Sequence, residues 1–451
     1  MKYFFSGIGG IGMSSLALYA NYCGHKVYGS NNEKNERVDY LKSKGIEISI
    51  GHSKNLPDID LLIRSTAIRN NNPEVVAAES KNIPTAFRME YLSNILKSTW
   101  SIGITGTDGK TTTTAMMSKI FKTAGKDPTV FLGGIHSCLE DGNFRMGSGQ
   151  IISEVDESDG YIKDAQTDVS VVTNLRPDHL EHYANSFENL EYAVKRYSER
   201  SRDITFLNGD DPILSQWADE FPNAVTLGTS EKNDYFMKNR YIKDHMQSFD
   251  IYYKNKFVLN INLRLPGLHY AMDALAASSL ALEYGIKTED ITDALYTYDT
   301  VDRRFNILYS NTDLFIIDDY AHTPDEIYST MQATREYFSG RKLTVIFQPH
   351  RYTRLHRHFL EFVDVLKNAD EVLIYRIYSA FEDPIDGVDE RKVASLLNDK
   401  VKTSFYDNGD DLINELLKSQ DQVLLFVGAG DITLISHKIS KIISKRTVEV
   451  D

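Results

Sequence analysis

Short apolar runs alternate with amphipathic stretches along most of this chain, and the alternation changes character twice. From residue 1 to about 97 the runs KYFF, HKVYG and DLLIRS are separated by segments of helical spacing, the pattern of β-α-β units around a parallel sheet. The polar passage LKSTW leads into a second series, with strands predicted at SIGIT, IISEV, VSVVTN and ITFLN and helices after Lys110 and Ser186. Between about 233 and 265, Tyr, Phe, Ile and Val alternate with polar residues, which predicts antiparallel hairpins attached to that second block. The helix AMDALAASSLALEYG follows and ends at Gly285. After DRRF a third series begins, with strands at LFIID, LTVIF, EVLIY and QVLLFVG separated by helical segments.

Composition fits three blocks in series. A chain of 451 residues that is 41% hydrophobic is too long for one core and suits about three domains. The boundaries read as 1–97, 98–301 and 302–451, with no internal repeat. Asp plus Glu number 64 against 50 for Lys plus Arg, and the net charge of −14 argues against nucleic acid or an anionic membrane as the main partner. An anionic substrate would therefore need local basic clusters. Cys23 and Cys138 have neither a pairing pattern nor metal spacing and read as small buried hydrophobes in a reducing compartment. No apolar run reaches the roughly 18 residues of a membrane span, and KYFFSGIGGIG lacks the features of a signal peptide, so the cytoplasm is the expected location without membrane insertion.

Candidate chemistry centres on SIGITGTDGKTTTTAM, which resembles a phosphate-binding loop but has Ile104 where G-x-x-x-x-G-K-[ST] requires glycine. That loss matters little, because successive backbone N–H groups, a helix N-terminus and the lysine charge bind the phosphates. Gly106 and Gly109 keep the close backbone approach, Lys110 can neutralise phosphate oxygens, and Thr111 can ligate Mg²⁺. SEVDESDGY and VTNLRPDHLEHY place Glu157, Asn174 and His179 just past strands of the same sheet, where Glu157 and His179 can join Thr111 as metal ligands. At the N-terminus, GIGGIGMSS fits G-x-G-x-x-G through Gly7, Gly9 and Gly12. The next strand ends in Ser30 and Asn31 rather than the acid that a dinucleotide ribose requires, which weighs against an NAD-dependent oxidoreductase.

Taken in order, GIGGIGMSS, GTDGKTTTT, DESDG, NLRPDHLEHY, LPGLHYAMDALAA, DRRF, DDYAHTPDE, QPHRYTRL and VGAGDI resemble the Mur ligases across nearly the whole chain. The resemblance implies an α/β fold of three domains in series: N-terminal Rossmann-like, central P-loop-like ATPase with antiparallel hairpins, and C-terminal Rossmann-like. It implies an ATP- and Mg²⁺-dependent ligase that joins L-alanine to UDP-N-acetylmuramate through an acyl phosphate. Alternatives are a murein peptide ligase that adds a recycled tripeptide to the same sugar nucleotide, and a non-catalytic nucleotide-binding regulator.

On this resemblance Gly9, Gly10, Ile11 and Gly12 cradle UDP, and Ser65 and Arg88 make further substrate contacts. Thr107, Asp108, Gly109, Lys110, Thr111 and Thr112 form the ATP loop, Arg304 meets the phosphates and Asp319 the ribose. His322, His350, Arg351 and Arg354 are assigned to substrate. Lys110, Glu157 and His179 carry the catalytic role. Two departures stand out. Asp108 replaces the His usual in the nearest branch of the family, a negative charge that must be offset by Mg²⁺ or pointed away from the phosphates. Tyr270 and Asp273 replace the asparagines of an H-N-x-x-N helix near adenine, and an ionised Asp273 can only accept hydrogen bonds. The sequence supplies no general base for the amine and no oligomeric state.

Overall fold

The computed structural model describes residues 1–380, 382–420 and 422–448. Three sheets organise the chain, which divides into two compact units. One unit comprises Met1–Arg240, Phe249–Asn262 and Met272–Asp299; the other comprises Tyr241–Ser248, Leu263–Ala271 and the chain from Thr300 onward.

The first sheet has five parallel strands in the order Glu47–Ile50, Lys26–Asn31, Lys2–Ser6, Leu61–Arg64, Thr85–Phe87. Strand order reverses at Lys2–Ser6, so the switch point where such sheets bind ligands lies over its carboxyl end, where the glycine-rich turn begins. Glu47–Ile50 and Thr85–Phe87 were not evident from the apolar pattern. Each is an edge strand that is mostly exposed or half-buried, so neither needs an apolar run.

The second sheet has ten strands, with Ser101–Thr105 between Val169–Val172 and Ile151–Glu154. All five residues of Ser101–Thr105 are buried, which explains why it reads as an uninterrupted strand rather than an alternating one. The expected hairpins are Tyr235–Lys243, Met246–Tyr253 and Lys256–Leu263, adjacent in the sheet and joined by two-residue turns. Asp244, His245, Lys254 and Asn255 all have positive φ, the type I′ arrangement that matches strand twist.

In the third sheet, Asn306–Ser310 pairs antiparallel with Leu314–Asp319, and four further strands continue in parallel. Among the described residues no helix is long and apolar enough to cross a membrane. The cysteines differ from expectation: Cys23 is exposed and Cys138 half-buried. Cys23 caps the end of helix Ile11–Tyr22, where the chain turns outward, and burial pushes the Cys138 thiol up to about 11.

A buried polar joint ties the first sheet's helices to the loop after Leu139. Asp141 accepts from the Tyr40 hydroxyl at 2.5 Å and from Lys44 Nζ at 2.7 Å. Arg37 donates to the Asp141 carbonyl at 3.0 Å, and Asn143 Nδ2 donates to the Ile11 carbonyl at 2.6 Å, inside the glycine-rich turn. Removing the carboxylate leaves Tyr40 without its acceptor, so Asp141→Ala should cost about 2 kcal/mol in a denaturant titration. A cost below the roughly 0.5 kcal/mol of an ordinary surface substitution would show that the joint does not contribute to stability.

Candidate active site

The phosphate loop leaves a fully buried strand and enters helix Lys110–Thr123. Gly106 has φ +122, and a Cβ there would stand 2.3 Å from Thr173 Oγ1 and 2.7 Å from the Asn174 carbonyl oxygen. Only glycine allows the loop to lie so close to the neighbouring segment. That segment braces the loop. Asp108 N–H donates to Asn174 Oδ1 at 2.9 Å, Thr173 Oγ1 donates to the Asp108 carbonyl at 2.5 Å, and Thr107 N–H donates to the Asn174 carbonyl at 3.2 Å. The Asp108 carboxylate pairs with Arg176 Nε at 3.6 Å, which offsets the additional negative charge.

Lys110 folds back over this loop, donating to the Gly106 carbonyl at 2.6 Å, the Thr107 carbonyl at 3.1 Å and Glu157 Oε1 at 3.0 Å. Burial alone would lower its pKa, but Glu157, Asp156 and Glu154 outweigh burial and hold it above the ordinary lysine value. Glu157 itself is pushed up to about 7 by burial, partly countered by Lys110. Its Oε2 is buried without a hydrogen-bond partner.

His179 has φ +51, a left-handed conformation uncommon outside glycine. Burial lowers its pKa, while Glu181, Asp178 and Glu157 together raise it above the ordinary value. The backbone therefore brings Lys110, Glu157 and His179 into one electrostatic neighbourhood. Thr111 Oγ1 donates to Glu154 Oε2 at 2.9 Å. The orphaned Glu157 oxygen and the oxygen-rich surroundings of Thr111 suit a hard divalent cation, so the donor set fits Mg²⁺.

Glu154 and Asp156 were not singled out from the sequence, although the acidic run SEVDESDGY contains both. Burial pushes Asp156 upward, but Lys110 and Arg88 more than reverse this and keep it well below the ordinary carboxylate range. Arg88 also reaches Asp159, at 3.0 Å, and its guanidinium lies against Gly12. Ile11, Gly12, Ser15, Arg88, Glu154 and Asp156 are among the residues lining a cavity of about 230 Å³. The glycine-rich turn and the phosphate-loop sheet therefore face one space.

Within that turn Gly9 N–H donates to Asn31 Oδ1 at 3.1 Å, and Gly10 caps helix Ile11–Tyr22. The short amide of Asn31 thus fastens the turn at the strand end where a dinucleotide site would carry an acid. Ser65 lies beside Gly7, and its hydroxyl accepts from Ala67 N–H at 3.3 Å. Thr112 is buried in the first turn of the loop helix. Asp273 sits beneath the loop: Oδ1 accepts from Thr113 Oγ1 at 3.0 Å, and a Cβ on Gly109 would approach that same oxygen to 2.5 Å. This contact braces the loop helix.

The remaining expected residues cluster in the second unit. Arg304 pairs with Glu326 at 3.7 Å and lies over the Tyr320 ring. Asp319 Oδ2 accepts from Phe305 N–H at 2.7 Å and Oδ1 from Ala321 N–H at 2.8 Å, so both oxygens fix the adjoining backbone. Burial pushes Asp319 up to about 6 despite Arg304. His322 and His350 meet edge to face at 5.8 Å, and Arg354 lies 3.0 Å from His350 Nδ1. Burial, followed by His322, Arg354 and Arg351, lowers His350 to about 3, so its imidazole is neutral at pH 7 among cationic neighbours. Arg351 has φ +68, and its N–H donates to the Tyr378 carbonyl at 2.8 Å. These arginines gather positive charge locally in an acidic protein.

A phosphate-binding loop with a buried acidic flank, whose Glu154 and Asp156 line one cavity with the glycine-rich turn, defines an α/β nucleotide-dependent enzyme. Three family models match the chain in succession: "Mur ligase family, catalytic domain" over residues 2–100, "Mur ligase middle domain" over 104–281 and "Mur ligase, glutamate ligase domain" over 303–430. The chain belongs to the Mur ligase family. It is 40% identical over 444 residues to a UDP-N-acetylmuramate–L-alanine ligase of Thermotoga petrophila, covering 97% of this chain and 96% of the relative. The crystal structure of the UDP-N-acetylmuramate–alanine ligase of Thermotoga maritima superposes with a TM-score of 0.87 at 36% identity, covering 99% of this chain and 100% of that one. A murein peptide ligase of Psychrobacter arcticus shares the fold, with a TM-score of 0.69 at 18% identity over 98% of each chain.

Proposed function

We propose that this protein joins L-alanine to UDP-N-acetylmuramate, forming ADP and phosphate from ATP, as a step of peptidoglycan precursor synthesis in the cytoplasm. In this reading residues 1–97 bind the UDP sugar, 98–301 bind ATP, and 302–451 form the C-terminal Rossmann-like ligase domain. The observation that carries it is Lys110, held by Glu157 at 3.0 Å and in the field of Glu154 and Asp156, two carboxylates that line one cavity with Gly12 and Arg88. The full-length likeness to L-alanine ligases supports the choice of amine.

A carboxylate is a poor electrophile at neutral pH, so amide formation needs activation. A lactyl carboxylate oxygen attacks the γ-phosphorus, ADP departs with the bond electrons, and an acyl phosphate results. Lys110 offsets the charge that gathers on the phosphoryl oxygens, and Arg304 is assigned to the same phosphates. Mg²⁺, when held by Thr111, Glu157 and His179, would supply further charge neutralisation there. The amine then attacks the acyl carbon, releasing phosphate and a proton. His322, His350, Arg351 and Arg354 are assigned to substrate, where the two guanidinium groups suit a carboxylate.

An amine-competition assay tests the reading. With UDP-N-acetylmuramate, ATP and Mg²⁺, release of ADP should match product formation on addition of L-alanine and should not occur with the recycled tripeptide alone. A pocket shaped for one amine discriminates strongly against one of very different size. Preferential tripeptide addition, detected by mass spectrometry, would make the protein a murein peptide ligase instead.

A further inference from the structure

We infer that Glu74 is a positioning residue for the UDP sugar, holding the glycine-rich turn in shape from beneath through Ser6, Ser30 and His52. The inference rests on the reading of residues 1–97 as the UDP-sugar site and assigns a role to a buried carboxylate that the phosphoryl-transfer chemistry does not use.

Ser6 and Ser30 end adjacent parallel strands and stand opposite each other in register, so their side chains emerge on the same face of the sheet. Both are fully buried, and Glu74, in the first turn of helix Pro73–Ser80, reaches them while only 1% exposed. Its Oε2 accepts from Ser6 Oγ at 2.5 Å, from Ser30 Oγ at 2.8 Å and from His52 Nδ1 at 2.9 Å. Oε1 accepts from Ser53 N–H at 3.4 Å. One carboxylate therefore gathers two strand ends and the segment that follows a third, Glu47–Ile50.

The turn hangs from this joint. Gly7, with φ +80, follows Ser6 directly, and the N–H groups of Gly7 and Ile8 both donate to the Ser30 carbonyl at 2.9 Å. Helix Ile11–Tyr22 starts just beyond, and its N-terminus is the end that a diphosphate meets. Holding both serine hydroxyls fixes the Ser30 peptide and the junction of Ser6 with Gly7. The path of the turn is thereby set before the ligand arrives.

A carboxylate oxygen that accepts three hydrogen bonds has no neutral equivalent of the same size. In Glu74→Gln the side-chain carbonyl can face Ser6, Ser30 and His52 only by turning its NH2 toward the Ser53 N–H, a donor against a donor. The flipped amide sets its NH2 against the His52 N–H and both hydroxyls. The variant keeps the volume of the side chain and disturbs the hydrogen bonds alone.

Binding of UDP by calorimetry, together with KM for UDP-N-acetylmuramate and for ATP, tests the inference. Glu74→Gln should raise Kd for UDP and KM for the sugar nucleotide by about 10-fold, while kcat at saturation and KM for ATP stay within about 2-fold. In a Ser6→Ala/Ser30→Ala background, where both hydroxyl links are gone, Glu74→Gln should weaken UDP binding by less than about 2-fold further.

Unchanged UDP affinity in Glu74→Gln would overturn the inference. Equal losses for UDP and ATP would overturn it by showing a general effect on folding, and a full additional loss in the Ser6→Ala/Ser30→Ala background would do so by cutting the link to the turn. If Glu74→Gln does not fold, Ser30→Ala, which removes one donor and keeps the carboxylate, takes its place. A loss of UDP affinity of about 3-fold or more then supports the inference, and a smaller one overturns it. A wild-type protein that binds ATP but no UDP would instead defeat the UDP-sugar reading itself, so the two failures are distinct.

Discussion

Lys110→Ala is expected to lower kcat/KM for ligation by at least about 10³-fold, equivalent to about 4 kcal/mol of transition-state stabilisation. The side chain donates to Glu157 and to two loop carbonyls at the place where phosphate oxygens must gather. Its removal leaves negative charge to meet negative charge. Glu157, already pushed up to about 7, loses its countercharge and moves further toward the protonated form. That uptake of a proton relieves the buried anion, so the variant should fold with a thermal midpoint close to wild type while losing turnover. Turnover and thermal unfolding should be measured on the same preparation. Near wild-type turnover would remove Lys110 from the mechanism, and a collapse of the midpoint would recast it as a structural ion pair.

Gly106→Ala should raise the apparent Kd for ATP by about 10²-fold and leave binding of UDP-N-acetylmuramate alone within about 2-fold. The added Cβ would require a left-handed φ of +122 and would stand 2.7 Å from a backbone carbonyl oxygen, which cannot turn aside. Strained conformations of this kind cost about 1–3 kcal/mol each, and the overlap adds to that. The loop then relaxes at the expense of the N–H geometry that cradles phosphate. Gly109→Ala should be milder although its φ is +83, because the atom it meets belongs to the Asp273 side chain. Calorimetry with a non-hydrolysable ATP analogue separates the cases. Unchanged ATP affinity in Gly106→Ala would show that the loop adopts another shape when it binds nucleotide.

Much of this protein was legible in one dimension because backbone chemistry leaves local marks. Buried parallel strands need apolar runs, so Lys2–Ser6, Ser101–Thr105 and Gln422–Val427 appear as such, and turns that require unusual φ select glycine, as at Gly106. The phosphate loop could be read despite Ile104 because its function lies in N–H groups and one lysine. Edge strands such as Glu47–Ile50 left no equivalent mark, since a strand half open to water needs no apolar run. The roles of acidic side chains were less accessible still. Glu154, Asp156, Glu157 and Asp159 lie within six consecutive positions and are chemically alike, yet their contacts differ. Glu154 meets Thr111, Asp156 answers both Lys110 and Arg88, Glu157 pairs with Lys110 and Asp159 pairs with Arg88. Asp108 and Asp273 show the same limit, because the sequence gives their charge but not Arg176 or Thr113 as the partner. The chain by itself determined the α/β architecture, the glycine-rich turns and the phosphate-binding chemistry, all of which depend on local backbone requirements and apolar pattern. Only the tertiary structure decided which carboxylate faces which cation, because those pairings join residues tens of positions apart and depend on strand register and side-chain direction.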